Sequence, residues 1–539
     1  MIRTIDATAA KRLVHGPGEL AFLDIREAGE FGEGHPLFAA PLPYSRLELD
    51  APALVPNPNV PLLLIDGGDG VAERAARRLA ALGYSDIAIV AGGAPAWAAA
   101  GFTLFKGVNL PGKTLGELAE AAWHPPMITA ETLADWRAAG RSFQLFDVRP
   151  PGEHAKMRVP GARCLPNGEL PHRLPAAIAD PDAPVVVACA GRTRGIIGVL
   201  GLKLAGVDGD VYALENGTQG WVLAGLELER GNEAEPFPEL DPAARQLSAE
   251  RARAVAERWS LPWIDAEGFR QLAADESRSL YLLDVRDAAD RAAEPIPGAV
   301  HAPAGQLVQA VDQWVAIRRA RIVLADDTGL RAAIAAFWLR QLGFETYILP
   351  GAPTAVERDA LAARAAPMEP HLKLPGTITP QQAGEDARAG RAALLDLRPS
   401  RLYRQGHAAG SIWSRRPRLA AALERRPATV RLIADDAEML ALAAADLAEL
   451  GVDDVRVVEG GLTGWREAGL PVEVTPDQPA DAEMVDFLWF VHDRHDGNLE
   501  SSRQYLAWEQ GLVGQLDADE RAEFQLTVAW QAVEKGIWA

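Results

Sequence analysis

The sequence predicts an α/β fold: four tandem domains, each a mostly parallel sheet flanked by helices, and a short helical C-terminal extension. Three observations lead to this prediction. Apolar runs ending in Asp-x-Arg occur four times, strand-like runs alternate with alanine- and leucine-rich helical segments, and the pattern repeats about every 100 residues, a usual domain size. Strands that alternate with helices indicate parallel sheets.

Each copy of the repeat presents its elements in the same order. A first strand ends in a charged pair, a second strand follows, and a helix then ends at Leu-Gly or Ala-Gly, where glycine suits a helix C-terminus. A third strand comes next, and Gly-Trp closes all copies except the third. The charged pairs are Asp24 and Arg26, Asp147 and Arg149, Asp284 and Arg286, and Asp396 and Arg398.

The repeat predicts the domain boundaries. We expect domains at residues 1–108, 125–231, 260–358 and 376–475, and a helical extension at 480–539. Leu247 to Trp259 is predicted to form a linker helix. Aromatic helical stretches in the extension are expected to pack on a neighbouring domain or on a second subunit, so a homodimer formed through the extension is a further expectation.

Composition limits the possible partners and the compartment. The 539-residue chain has a formal net charge of −20, which argues against nucleic-acid or anionic-membrane binding. Two cysteines, Cys164 and Cys189, exclude a disulfide framework, and no metal or organic cofactor is expected. Without a signal peptide or an apolar spanning run, a cytoplasmic protein is expected. His492, Asp493, His495 and Asp496 are interpreted as a solvated polar turn rather than a metal site.

The candidate site follows the second strand of the second domain. The β-branched run from Val185 ends at Cys189, and an apolar helix is predicted to begin near Gly195. The helix N-terminus, together with Arg192 and Arg194, should lower the thiol pKa from about 8.5 into the roughly 3.5–7.5 range of activated cysteines. It should also hold an anion against the sulfur. The alternative is that Cys189 is only a small buried hydrophobe.

These features resemble the rhodanese family, over nearly all of residues 1–475 and most specifically in the loop that begins at Cys189. The resemblance implies that Cys189 carries sulfane sulfur as a persulfide, taken from an anionic donor such as thiosulfate and passed to cyanide or a thiol. It also implies that backbone N–H groups of the loop cradle that sulfur. The loop residues are Ala190, Gly191, Arg192, Thr193, Arg194 and Gly195.

The other three domains depart from the family pattern. Asp66, Asp326 and Asp435 are assigned to the position that Cys189 holds in the second domain, and the loops that follow lack the arginine pair. A carboxylate cannot accept sulfur as a thiol does, so these domains are predicted to be inert in sulfur transfer.

Two other functions remain open. The first is a thiolate phosphatase or arsenate reductase, although such loops follow Cys-x5-Arg and Arg194 lies one position short of that spacing. The second is a non-enzymatic interaction scaffold. Around the loop, Asp147 and Arg149 are interpreted as scaffold because the pair recurs in every domain. His154 is interpreted as a surface residue and Cys164 as a core residue rather than a resolving thiol.

Overall fold

The computed structural model describes residues 2–351, 355–423, 429–492 and 498–526. It confirms four α/β domains in tandem and a helical extension. The interpretation of His492 to Asp496 as a polar turn concerns side chains that lie outside the described residues. Within the described ranges, no helix is both long and apolar enough to cross a bilayer.

The first domain is built on a parallel sheet in which β4 and β5 lie at the centre. Its strands are ordered 1-5-4-2, and β3 also pairs with β2. The strands are β1 (Ile2–Ile5), β2 (Leu20–Asp24), β3 (Ala40–Pro41), β4 (Leu62–Ile65) and β5 (Ile87–Val90). The helices are α1 (Ala7–Val14), α2 (Ala28–Glu33), α3 (Leu47–Leu54), α4 (Val71–Ala81) and α5 (Gly93–Ala99).

A linker helix, α6 (Leu110–Trp123), leads into the second domain, whose five strands are all parallel in the order 6-10-9-7-8. The strands are β6 (Met127–Ile128), β7 (Gln144–Asp147), β8 (Arg163–Cys164), β9 (Val185–Ala188) and β10 (Val211–Leu214). The helices are α7 (Ala130–Ala138), α8 (Pro151–Lys156), α9 (Leu170–Ala177), α10 (Thr193–Leu204) and α11 (Gly217–Leu223). Strand β9 is fully buried, and Cys189 follows directly at its carboxyl end.

The second linker helix, α12 (Pro242–Arg258), begins five residues before the predicted Leu247. The side chain of Asp241 caps it by accepting a hydrogen bond from the N–H of Ala244, and Pro242 suits the first helical turn. The linker helix itself is confirmed. Its early start follows from this Asp-Pro signal, which the prediction did not use.

The third domain has a parallel sheet in the order 12-11-14-15, and lends one strand to the first domain. Strand β13 pairs antiparallel with β2, which ties these two domains together by backbone hydrogen bonds. The strands are β11 (Leu280–Asp284), β12 (Val300–His301), β13 (Ile317–Arg318), β14 (Arg321–Asp326) and β15 (Glu345–Pro350). The helices are α13 (Ala266–Ala274), α14 (Ala288–Ala293), α15 (Ala304–Gln309), α16 (Leu330–Gln341) and α17 (Ala355–Ala362).

The fourth domain repeats the parallel sheet in the order 16-21-20-17-19, beside a small antiparallel pair of β18 and β22. Its strands are β16 (Gly376–Ile378), β17 (Ala393–Asp396), β18 (His407–Ala408), β19 (Ile412–Trp413), β20 (Thr429–Ile433), β21 (Asp454–Val458) and β22 (Val472–Glu473). Its helices are α18 (Pro380–Arg388), α19 (Ser400–Gln405), α20 (Leu419–Leu423), α21 (Ala437–Glu449) and α22 (Gly461–Glu467).

The C-terminal extension folds back over the chain. It contains α23 (Trp489–His492), α24 (Leu499–Gln510), α25 (Leu512–Gln515) and α26 (Ala518–Ala522). Tyr505 and Leu506 are buried, and Trp508 packs against Gly107 just before α6. The expected packing on neighbouring domains is therefore confirmed. A homodimer through this segment stays a prediction.

Candidate active site

The loop from Cys189 to Arg192 joins β9 to α10, which begins at Thr193, two residues before the predicted start. Cys189 is 2% exposed, and the backbone N–H groups of Gly191 and Gly195 act on its sulfur to lower the thiol pKa. The thiol in turn lies 3.8 Å from the carbonyl oxygen of Arg192. Of the loop N–H groups expected to cradle the sulfur, those of Gly191 and Gly195, two and six positions after the cysteine, act on it.

A cavity of about 280 Å³ opens onto this loop. Four parts of the chain form its wall: the second domain, the linker that leads into α6, helix α15 of the third domain, and the C-terminal extension. The whole predicted loop from Cys189 to Arg194 lines it. The other lining residues are Val108, Asn109, Lys113, Arg149, Glu153, Lys156, Met157, Gln219, Gln306, Gln309, Val491, Tyr505 and Glu509.

The two loop arginines are already matched by carboxylates. The guanidinium group of Arg192 binds Glu117 at 2.8 Å and also contacts Glu120, both on α6. Arg194 binds both oxygens of Glu153, at 2.6 and 2.8 Å. Each of the two positive charges that were expected near the sulfur is therefore paired with a carboxylate. Arg192 anchors the loop to the linker helix, while the charge of Arg194 acts on Cys189 in the direction that lowers the thiol pKa.

The pKa of the Cys189 thiol is raised above its ordinary value, not lowered as predicted. Burial is the largest cause, because removing the sulfur from water disfavours the thiolate. The charge of Arg194 and the N–H groups of Gly191 and Gly195 oppose that effect, whereas the nearby carboxylate of Glu509 adds to it. The Arg194 charge and the two N–H groups thus offset part of the cost of burial, without overcoming it in the resting protein.

Lys113 and Glu509 are site residues that sequence reasoning missed. The ammonium group of Lys113, on α6, lies over the rings of Tyr505 and Trp508, at 5.1 and 4.9 Å from their centroids. Glu509, on α24, accepts a 2.9 Å hydrogen bond from the hydroxyl of Thr193. Neither residue sits in a recognisable motif, and the aromatic pattern of the extension was the only signal that the tail packs near other domains.

The Asp147–Arg149 pair is a scaffold, as predicted, and Arg149 also lines the cavity. Arg149 donates to both oxygens of Asp147, at 2.8 and 2.7 Å, and to the carbonyl of Met157. Burial acts to raise the pKa of Asp147, but hydrogen bonds from Arg149 and His154 outweigh it and lower that pKa. The other three domains repeat this arrangement: each arginine also donates to the backbone carbonyl eight residues after it.

The interpretation of His154 as a surface residue is wrong. Its side chain is 1% exposed and lies between Asp147, at 2.9 Å, and the guanidinium group of Arg158, at 2.7 Å. Helix α8 turns this histidine inward, toward the end of β7. It supports Asp147 from below and does not line the cavity.

Cys164 lies at the end of β8, away from the cavity lining. It is half-buried, and its thiol donates to the carbonyl oxygen of Arg149 at 3.5 Å. Burial, with a contribution from Asp147, raises its pKa to about 12. These contacts agree with a structural role and not with that of a resolving thiol.

The counterpart positions in the first and third domains hold carboxyl groups that accept hydrogen bonds from the loop and helix that follow. Asp66 accepts hydrogen bonds from the N–H groups of Gly68 and Ala72, which again lie two and six positions further along. Asp326 accepts from the N–H and the guanidinium group of Arg331, at 3.0 and 2.8 Å. A carboxyl group thus already occupies the cysteine position in these two loops.

The assignment of Asp435 to the cysteine position is wrong by one residue. Strand pairing sets Asp147 opposite Ala188 and Asp396 opposite Ile433, so the residue after Ile433, Ala434, corresponds to Cys189. Asp435 lies one position further and is exposed. The fourth domain therefore presents a methyl group in place of the thiol, and it lacks the nucleophile in either case.

Comparison with known proteins agrees with this architecture. The model of the rhodanese-like domain family matches residues 6–100, 129–224, 265–358 and 379–468, which is more than half of the chain. The crystal structure of a thiosulfate sulfurtransferase from Pseudomonas aeruginosa is 37% identical, covers 97% of this chain and 99% of its own, and gives a TM-score of 0.85. The chain belongs to the rhodanese-like domain family.

Single-domain structures resemble parts of the chain more weakly. A rhodanese-related protein from Thermoplasma volcanium is 25% identical over 19% of this chain and 97% of its own, with a TM-score of 0.17. The rhodanese-like domain of an Anabaena sp. protein is 22% identical over 22% of this chain and 92% of its own, with a TM-score of 0.18. Such low scores add nothing to the assignment. None of the curated proteins matches this chain.

Proposed function

We propose that the second domain transfers sulfane sulfur from thiosulfate to cyanide or to a thiol, through a persulfide on Cys189. One observation carries the proposal: Cys189 lines a cavity, and the N–H groups of Gly191 and Gly195 and the charge of Arg194 act on its sulfur to favour the thiolate. In the first domain, N–H groups at the same two positions, on Gly68 and Ala72, bind the carboxyl group of Asp66. This kind of loop is therefore suited to stabilise an anion.

Membership of the rhodanese-like family and the thiosulfate sulfurtransferase neighbour support a sulfurtransferase-type enzyme in general. The choice of thiosulfate as donor goes further and rests on the charges of the cavity. Lys113 offers an ammonium group with no hydrogen-bonding carboxylate among the described residues, and Arg194 adds a positive charge beside the sulfur. Both charges favour an anionic donor.

In the first half-reaction, the Cys189 thiolate attacks the outer sulfur of thiosulfate. A new S–S bond forms to Cys189, the S–S bond of thiosulfate breaks, and sulfite leaves with the electron pair. Lys113 binds the anionic donor, and the charge of Arg194 stabilises the charge that collects on the departing sulfite. Burial disfavours the thiolate that this step requires. The charge of Arg194 and the N–H groups of Gly191 and Gly195 oppose that effect by stabilising the thiolate.

In the second half-reaction, cyanide or a thiolate attacks the outer sulfur of the persulfide. The bond to the sulfur of Cys189 breaks, thiocyanate or a new persulfide leaves, and the Cys189 thiolate is restored. Two half-reactions on one nucleophile predict ping-pong kinetics. The loop amides stabilise the thiolate or persulfide anion of Cys189 in both half-reactions, and the two substrates supply all the other reacting atoms.

The other domains act as structural parts of this site. The third domain supplies Gln306 and Gln309 to the cavity, and the first domain connects to it through the linker that carries Lys113. A phosphatase is disfavoured because Gly195, and not an arginine, holds the sixth position after the cysteine.

The test is thiocyanate production from thiosulfate and cyanide by the full chain, together with intact-protein mass measurement after exposure to thiosulfate. We expect C189S to abolish turnover and to abolish the gain of one sulfur atom. C164S is the matched control, since it removes the other thiol, and it should retain both signals. Turnover retained by C189S, or a sulfur mapped to Cys164, would contradict the proposal.

A further inference from the structure

Three buried oxygen atoms around the cavity lack a hydrogen-bond donor among the residues that the structure describes. They are Oε2 of Glu509, Oε1 of Gln219 and Oε1 of Gln309, and all three residues line the cavity. Buried acceptors are normally satisfied, so a set of them around one cavity points to a ligand that carries N–H or O–H donors. Thiosulfate has no such donor at neutral pH, which leaves these atoms to the second substrate.

Glu509 is the strongest of the three because it carries charge. It is 2% exposed, and its Oε1 atom already accepts from Thr193. Its Oε2 atom lies only 3.1 Å from the place that a Cβ on Gly191 would occupy, which puts it directly over the loop that holds the sulfur. The other carboxylate of the cavity wall, Glu153, is fully matched by Arg194. Among the described residues, no cation forms an ion pair or hydrogen bond with Glu509, although the charge of Arg192 interacts with it. A buried carboxylate oxygen without a donor favours a ligand that brings a charged N–H group.

We propose that Glu509 determines acceptor specificity by binding the ammonium group of an amino thiol while the thiolate of that molecule faces Cys189. This inference rests on the proposed persulfide chemistry and names the acceptor class for it. The acceptor sulfur attacks the outer persulfide sulfur, the bond to Cys189 breaks, and the product leaves as an amino-thiol persulfide. Glu509 takes no part in bond making: it orients the acceptor and compensates its charge.

The location of Glu509 makes this a role of the C-terminal extension. Helix α24 contributes Tyr505 and Glu509 to the wall, and the Thr193 hydroxyl fixes the carboxylate against the first turn of α10. The extension therefore supplies acceptor selection to a site whose nucleophile lies in another domain.

The experiment compares two acceptors of nearly equal size, cysteamine and 2-mercaptoethanol, which differ by an ammonium group in place of a hydroxyl. The full-length protein is first loaded with sulfur from thiosulfate, and loading is verified by mass. Each thiol is then mixed with it, and the second-order rate constant for loss of the extra sulfur is measured. The ratio of the two rate constants is compared among variants, so the intrinsic reactivities of the thiols cancel.

We expect the ratio that favours cysteamine to fall about tenfold or more in E509Q, the loss typical of one charge-assisted hydrogen bond. The matched control is E500Q, at an exposed glutamate on the same helix, which should keep the wild-type ratio. An unchanged ratio in E509Q, or an equal change in E500Q, would overturn the inference. Failure of the wild-type protein to load sulfur would instead overturn the proposed function.

A second measurement does not depend on any variant. Ethylammonium should inhibit discharge of the wild-type persulfide to cysteamine competitively, whereas ethanol at the same concentration should not. Equal effects of the two additives, or none from either, would also contradict a cation site at Glu509.

Discussion

Gly217 offers the sharpest test of whether the loop geometry controls sulfur transfer, because this glycine takes no part in the chemistry. It begins α11 with φ at +52°, and a Cβ there would lie 2.6 Å from the carbonyl carbon of Cys189 and closer still to its oxygen. The neighbouring N–H of Thr218 donates to the same carbonyl at 2.8 Å. The G217A substitution therefore pushes directly on the backbone of the nucleophile.

The expected size follows from two costs. A side chain in the left-handed region costs about 1–2 kcal/mol, and relief of the overlap costs about 1–3 kcal/mol. Ordinary contact needs at least 3.4 Å, so the loop must yield by a large fraction of an ångström. A displacement of about 1 Å in a reacting group can reduce the rate by about 100-fold. We expect G217A to lose stability moderately and kcat/KM for thiocyanate formation by about 100-fold.

The first domain provides a matched control for strain. Gly93 has φ at +59°, its neighbour Ala94 donates to the carbonyl of Asp66 at 2.8 Å, and a Cβ there would lie 2.6 Å from the nitrogen of Gly68. G93A imposes the same strain on a loop without a cysteine. Thermal unfolding should show similar destabilisation in both variants, with transfer retained in G93A. The reasoning fails if G217A stays within threefold of the wild-type kcat/KM, or if G93A loses as much activity.

Two further predictions concern the charges around the sulfur. K113M should raise the KM for thiosulfate about tenfold with a smaller change in kcat, because Lys113 binds the anionic donor before reaction. The control is K203M, which removes an amine that donates to the carbonyl of Gly209. An unchanged KM in K113M would exclude this role. R194Q should raise the pKa of Cys189 further, since the Arg194 charge lowers it. At pH 8 the rate of Cys189 alkylation by iodoacetamide should then fall and its pH midpoint should move upward, and a downward movement would contradict the assigned sign.

The fold was predictable because it is encoded in contiguous segments that repeat. Each strand is a short apolar run, and the Asp-x-Arg pair after the first strand makes the same local contacts in every domain. The cysteine loop was predictable for the same reason: strand, turn and helix start lie within a dozen residues. The two N–H groups that act on the sulfur, on Gly191 and Gly195, follow from that local geometry.

The rest of the site depends on contacts between distant parts of the chain. Thr193 and Glu509 are 316 residues apart in sequence, and Arg192 meets Glu117 across 75 residues. No periodicity reveals such pairs. The sign of the Cys189 pKa shift was mispredicted because the sequence displays the nearby arginines but not the burial that outweighs them. Asp435 was assigned by matching one acidic residue with another, whereas strand register places Ala434 there.

The pairing of β13 with β2 places a backbone tie between a repeat that precedes the nucleophile and one that follows it. Together with the tail helix that reaches back over Cys189, this tie makes the repeats interdependent. Removal of a domain without the cysteine would therefore also destabilise the domain that packs against it. A chain ending before Leu499 would keep the whole loop from Cys189 to Arg194. It would lose Tyr505 and Glu509 from the cavity wall, and with them the acceptor selection that we propose for Glu509.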